Sequence, residues 1–139
     1  MNACVVYFSR TGNTKRFAQA IAEIVKAPIY DLVSVPSSAI QNCDLLILGT
    51  PVEGSSPAKE TVAFIESLQN VTAKKAILFC TYRIFGNERT MRKIEKTLEG
   101  KGYKTLLKVS KKGMKTAVAA DFSEQLSQLK KVLESLAID

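Results

Sequence analysis

Val5-Val6-Tyr7-Phe8-Ser9-Arg10-Thr11-Gly12-Asn13-Thr14, running straight into Lys15-Arg16-Phe17-Ala18, decides how this chain is read. An apolar strand ends in a short hydroxyl-rich turn with one glycine, and a helix opens immediately afterwards. A helix N-terminus presents unpaired N–H groups and the positive end of the macrodipole, so it suits a phosphate. Gly12 lets the backbone turn tightly and approach a ligand closely. Ser9, Thr11 and Thr14 add three hydroxyls, expected to aim at the ligand. The loop holds no lysine and no metal ligand, which suits a terminal phosphate monoester better than a triphosphate with magnesium. The motifs G-x-x-x-x-G-K-[ST] and G-x-G-x-x-G are both absent. An ordinary strand-to-helix turn also uses small polar residues for capping. The position and density of the hydroxyls favour the phosphate.

The remaining composition narrows the chemistry. A chain of 139 residues with 46% hydrophobic content is expected to be one globular domain, spanning 1–139, with a proper core. The apolar runs, such as Ala3 to Phe8 and Ala76 to Cys80, are far too short for a membrane span. The first strand starts almost at Met1, so no signal peptide is read, and a cytoplasmic protein is expected. Cys4 and Cys80 lie in apolar strand-like runs and Cys43 just precedes one. They read as buried, inert thiols, and no metal site is visible. Histidine is absent, which removes His-based triads and the commonest general acid–base group. No catalytic residue is assigned, and the chemistry is expected to belong to a cofactor.

The net charge of +7 is unevenly placed. Residues 1–70 hold 5 Lys+Arg against 6 Asp+Glu, and residues 71–139 hold 15 against 7. The excess includes Arg83, Arg89, Arg92, Lys93, Lys96, Lys101, Lys104, Lys108, Lys111, Lys112 and Lys115. Such a run is either a solvated surface or a face for an acidic partner. Nucleic acid is not expected, since no interleaved aromatics or recognition-helix pattern accompany the lysines.

Short strands alternate with amphipathic helices throughout. Strands are expected at Ala3–Phe8, Pro28–Leu32, Leu45–Gly49, Lys75–Tyr82 and Tyr103–Val109. Helices are expected at Asn13–Lys26, with Phe17, Ile21, Ile24 and Val25 on one face, and at Glu88–Glu99, with Met91, Ile94 and Leu98 inward. Another is expected at Asp121–Leu136, carrying Phe122, Leu126, Leu129, Leu133 and Leu136, with Asp121 and Glu124 resembling a capping box. Ser34–Gln41 reads as a loop with at most one helical turn. Ser55 or Ser56 is read as the cap of a helix whose first turn takes Pro57, with Val62, Ile65 and Leu68 inside. Strand–helix alternation of this kind gives an α/β fold: a doubly wound, five-stranded parallel sheet with helices on both faces. A ligand loop after the first strand points to the order 2-1-3-4-5, whose switch point lies between the first and third strands. The site is then expected in Ser9–Thr14, Thr50–Pro57 and Thr81–Asn87.

At these loops the sequence resembles the flavodoxin family. Ser9 to Thr14 (SRTGNT) is similar to the family's phosphate loop, usually [ST]-x-T-G-x-T. Gly49-Thr50-Pro51-Val52-Glu53-Gly54-Ser55-Ser56-Pro57-Ala58 looks like the loop after the third strand in short members. Phe79-Cys80-Thr81-Tyr82-Arg83-Ile84-Phe85-Gly86 takes the place of the second flavin-flanking loop. The resemblance covers essentially the whole chain and implies non-covalent FMN and electron transfer between redox partner proteins. It assigns cofactor binding to Ser9, Arg10, Thr11, Gly12, Asn13 and Thr14, then to Thr50, Pro51, Val52, Glu53 and Gly54, and to Thr81, Tyr82, Arg83, Phe85 and Gly86. Related proteins often place Trp or Tyr after the third strand to cover the ring. Glu53 stands there, so Tyr82 or Phe85 covers the ring, or it stays partly open. Typical members are acidic and this chain is basic, which turns the expected partner toward an acidic protein.

Three further functions compete: an FMN-dependent reductase oxidising a nicotinamide, a partner module such as the flavodoxin-like activators of ribonucleotide reductase, and a fold that has lost its flavin. A phosphoacceptor receiver shares the topology but needs clustered aspartates after the first strand, and Ser9-Arg10-Thr11 offers none.

Overall fold

The computed structural model describes residues 2–113 and 121–138. Lys115, named in the basic run above, lies outside the described residues. The elements are β1 (Ala3–Tyr7), α1 (Asn13–Val25), β2 (Ile29–Asp31), α2 (Ser37–Gln41), β3 (Leu45–Glu53) and β4 (Ser56–Pro57). They continue with α3 (Lys59–Ser67), β5 (Lys74–Tyr82), α4 (Asn87–Gly100), β6 (Tyr103–Lys112) and α5 (Ser123–Ile138).

Five strands pair in parallel in the order β2-β1-β3-β5-β6, the expected order once the two-residue β4 is set aside. Parallel strands need both faces covered, because each presents apolar residues in both directions. β1 shows how. Val5 and Tyr7 enter one apolar cluster with Phe17, Ile21, Phe79, Phe122 and Leu129, so α1 and α5 share that face. Cys4 and Val6 enter the other, with Ile65 of α3 and Met91, Ile94 and Leu98 of α4. The inward residues expected for α4 are all buried, and Phe17 and Ile21 carry the buried face of α1.

Phe17 ties the first face together. It stacks on Phe122 with ring centroids 4.7 Å apart and tilts against Phe79 at 5.1 Å. Phe79 in turn lies over Gly49 of the neighbouring strand, where an added Cβ would fall 2.0 Å from the ring. Gly49 is therefore a close-approach glycine.

Four local expectations are corrected. β3 runs past Gly49 to Glu53, because its ladder with β5 continues through Thr50–Cys80 and Pro51–Thr81 and Val52 and Glu53 then pair with β4. β6 runs past Val109 to Lys112, pairing Thr81 with Lys111 and Tyr82 with Lys112. Neither Ser55 nor Ser56 caps α3. Ser56 and Pro57 fold back on Glu53 and Val52 as an antiparallel hairpin, and Ala58 is the N-cap residue. The hairpin turn is Gly54-Ser55, both with positive φ of 58° and 60°, the backbone of a tight two-residue turn. Asp121 does help start α5, but its carboxylate accepts from the N–H and hydroxyl of Ser123. The possible turn within Ser34–Gln41 is α2, preceded by Pro36.

Gly49→Ala should lower stability by about 1–3 kcal/mol, because the added Cβ overlaps the Phe79 ring, which is fully buried and packed on Phe17. Urea unfolding followed by circular dichroism measures it, and an unchanged midpoint would show that the ring relaxes.

Candidate functional site

The carboxyl ends of β1, β3 and β5 lie side by side, as the register Tyr7–Gly49–Phe79 requires. The loops leaving them therefore converge on one edge, at the switch point where the order reverses between β1 and β3. Phe8 N–H donates to the Gly49 carbonyl at 3.1 Å, holding the start of the first loop to β3.

In the first loop Gly12 sits at φ 97°, ψ −11° and is the N-cap residue of α1. No side chain caps this helix. The Ser9 hydroxyl accepts from the Gly12 N–H at 3.1 Å and keeps its own proton to donate. Thr11 is exposed. Thr14 is not as expected: its side chain is 1% exposed, and its hydroxyl shares a 2.7 Å hydrogen bond with that of Thr81. That bond fastens the start of α1 to the end of β5. The two hydroxyls share one proton between them, which leaves one O–H to donate elsewhere.

The Arg10 side chain turns toward β3 and α3. It pairs with Glu53 through Nε and Nη2 and with Glu60 through Nη2 at 2.7 Å, and its guanidinium lies 4.8 Å over the Phe8 ring. The Arg10 guanidinium holds the Glu60 carboxyl below its ordinary value. This contribution is present above the ordinary Glu pKa and fades as pH falls through the lowered one. Glu53 of the second loop is thus countered by a cation from the first.

Thr50 is fully buried, and its hydroxyl faces inward. It accepts from the Ala58 N–H at 3.2 Å and from the Thr61 hydroxyl at 2.9 Å, doing for α3 what a capping side chain does elsewhere. Pro51, Val52 and Glu53 are half-buried and Gly54 is exposed. In the third loop Thr81 is buried, Tyr82 half-buried and Arg83 exposed, with Ile84 and Phe85 75% and 70% exposed. Phe85 is therefore no core residue. Gly86, at φ 97°, packs against Ser55, where a Cβ would sit 2.9 Å from the Ser55 Cα, so the second and third loops touch.

The sequence reading missed a fourth wall. The extension of β6 brings Lys111, Lys112 and Gly113 beside Asn13 and Thr81, and the Gly113 N–H donates to the Tyr82 carbonyl. Lysines interrupt the apolar run there, although the sheet order already set that strand next to β5.

This arrangement can hold a small anion on an uncapped helix N-terminus beside hydroxyls, with an exposed aromatic one loop away. Those features fit a phosphate monoester and a flat ring. They define a doubly wound α/β protein with a candidate site at its switch point. The sequence profile described as "Flavodoxin domain" matches residues 4–136. A flavodoxin of Clostridium beijerinckii is 32% identical over 106 residues, covering 70% of this chain and 76% of that protein. An uncharacterised protein of Methanocaldococcus jannaschii is 29% identical over 118 residues, 84% of this chain and 78% of its own. Among solved structures, a Streptococcus pneumoniae flavodoxin superposes with a TM-score of 0.79 at 20% identity, covering 99% of both chains. That of Megasphaera elsdenii gives 0.66 at 24%, covering 78% of this chain and 84% of its own. The chain belongs to the flavodoxin family, a family of flavin-binding proteins. Among the described residues no helix is long and apolar enough to cross a membrane.

Thr14→Ala should destabilise the flavin-free protein by about 1–2 kcal/mol, since it strands the buried Thr81 hydroxyl. Thr11→Ala should leave flavin-free stability unchanged, its side chain being exposed. Thermal melts of both variants without ligand decide the matter, and equal melting temperatures would sink the assignment.

Proposed function

We propose that this chain binds FMN without a covalent bond and carries electrons between redox proteins. The observation that carries the reading is the Ser9–Thr14 loop, with left-handed Gly12 and the uncapped N-terminus of α1 at the switch-point edge. When bound, the isoalloxazine ring supplies the redox chemistry, and the protein binds, orients and tunes it. Ser9, Thr11, Gly12, Asn13 and the proton left on the Thr14–Thr81 pair take the phosphate. Arg10 contributes through the backbone of the loop, since its side chain is engaged by Glu53 and Glu60. Thr50 likewise contributes backbone, with Pro51, Val52, Glu53 and Gly54 forming one flank of the ring site. Thr81, Tyr82, Arg83, Phe85 and Gly86 form the other, and Phe85 is the aromatic best exposed to cover a ring. The basic second half favours an acidic protein as redox partner.

The affinity for FMN should exceed that for riboflavin by orders of magnitude. Charge-assisted hydrogen bonds contribute roughly 1.5–3 kcal/mol each, and riboflavin lacks the group that would accept them. Fluorescence-quenching titrations of the flavin-free protein with both ligands make the comparison, and equal affinities would remove the phosphate site. Electrostatics supplies a second test. Arg10 counters Glu53, and among the described residues the exposed Arg83 of the third loop makes no ion pair. Arg83→Glu should lower the potential of the loaded protein by tens of millivolts, given on the order of 40 mV for each kcal/mol in a one-electron couple. A spectroscopic redox titration at modest salt reads it, and an unchanged potential would place Arg83 away from the ring.

A further inference from the structure

The amino ends of the strands, at the far edge of the sheet from the loops above, hold two cysteines side by side. Cys4 is the second residue of β1, and Cys43 lies two residues before β3. The Cys4 Sγ donates to the Cys43 Sγ across 2.7 Å, against a covalent S–S length of about 2.05 Å. The Cys43 thiol donates in turn to the Leu45 carbonyl at 2.9 Å. Each residue is 3% exposed, but both line a hollow of about 430 Å³ walled by Asn2, Lys26, Pro28 and Tyr30. The hydrogen bond with Cys43 and burial hold the Cys4 thiol protonated, while the Lys74 ammonium, fixed by the Gln41 carbonyl at 2.8 Å, adds a positive charge that favours thiolate at Cys43. The hydrogen bond from Cys4 and the Lys74 charge push the Cys43 thiol down. Burial pushes Cys80, the third thiol, up to about 12. The geometry separates one adjacent, cation-facing pair from one isolated thiol.

We propose that Cys4 and Cys43 form a reversible dithiol–disulfide couple, closed by a low-molecular-weight disulfide that reaches them through the hollow. The Cys43 thiolate attacks one sulfur of the small disulfide R–S–S–R. A Cys43–S–S–R bond forms, and the first R–S⁻ leaves. The Cys4 sulfur gives up its proton to solvent and attacks the Cys43 Sγ. The Cys4–Cys43 bond forms, and the second R–S⁻ leaves. The protein loses two electrons and two protons, and the small disulfide becomes two thiols. The couple is independent of the flavin reading, since its sulfurs lie at the opposite strand ends.

The test incubates the folded wild-type protein with oxidised glutathione, quenches in acid, and alkylates in denaturant before mass spectrometry. The expected result is that two of the three thiols escape alkylation, with no glutathione retained. Peptide mapping should show a Cys4–Cys43 cross-link that dithiothreitol reverses. Cys80→Ser should give the same cross-link, and Cys43→Ser should give none. Full alkylation of all three thiols, a stable glutathione adduct, a link to Cys80 or a link between chains would each overturn the proposal.

Discussion

Burial of the parallel sheet on both faces is the constraint from which the rest follows. A strand with apolar residues in both directions needs cover above and below, and helical crossovers supply it. They also make the five main strands run the same way, so their carboxyl ends meet one edge. The site is a product of that direction. Ser9–Thr14, Thr50–Gly54 and Thr81–Gly86 are far apart in the sequence and adjacent only because β1, β3 and β5 are parallel neighbours. Thr14 and Thr81 then join the first and third of these segments through buried hydroxyls. The position of the helix N-terminus is thereby set by the sheet, before any ligand arrives.

The electrostatics of the site depend on who faces whom. Glu53 ends β3 at the switch-point edge, and taken alone it would place a negative charge among the converging loops. Arg10 answers it from the phosphate loop and reaches Glu60 of α3 as well. One guanidinium thus holds together the strand end, the helix start and the loop. Exposed pairs of this kind add little to stability. Their effect here is on charge and on loop geometry.

The two apolar faces were legible because short continuous apolar runs alternate with 3.6-residue helical stripes, and the strand order because a glycine turn leads from the first such run into a helix. The position of the Ser9–Thr14 turn between β1 and α1 was legible because an apolar run stops at Phe8 and a helical stripe opens at Phe17. Side-chain direction at loop margins was harder. Thr14 stands three residues before Phe17 and four before Ala18, so the buried stripe of α1 already extended to it, and its hydroxyl could have been assigned inward. Thr50 was obscured because its partners, Ala58 and Thr61, lie beyond a turn that reads as a helix start. Ser55 and Ser56 have the right chemistry for a cap, but the positive φ at Gly54 and Ser55 turns them into a hairpin. The ends of β3 and β6 were hidden because proline and lysine interrupt the apolar runs while the ladders continue.

The Thr50 hydroxyl has a further consequence for how the molecule can change over time. It anchors the start of α3 directly to β3, through Ala58 and Thr61, and bypasses the hairpin between them. The segment from Val52 to Pro57 is therefore a side excursion whose two ends are already fixed. A change of length at its tip leaves the start of α3 in place, as surface loops generally allow, and is felt instead at Gly86, which packs on Ser55, and at Lys93, which donates to Ser56. The hairpin at the switch-point edge is thus hung from a mount that it does not itself hold in place.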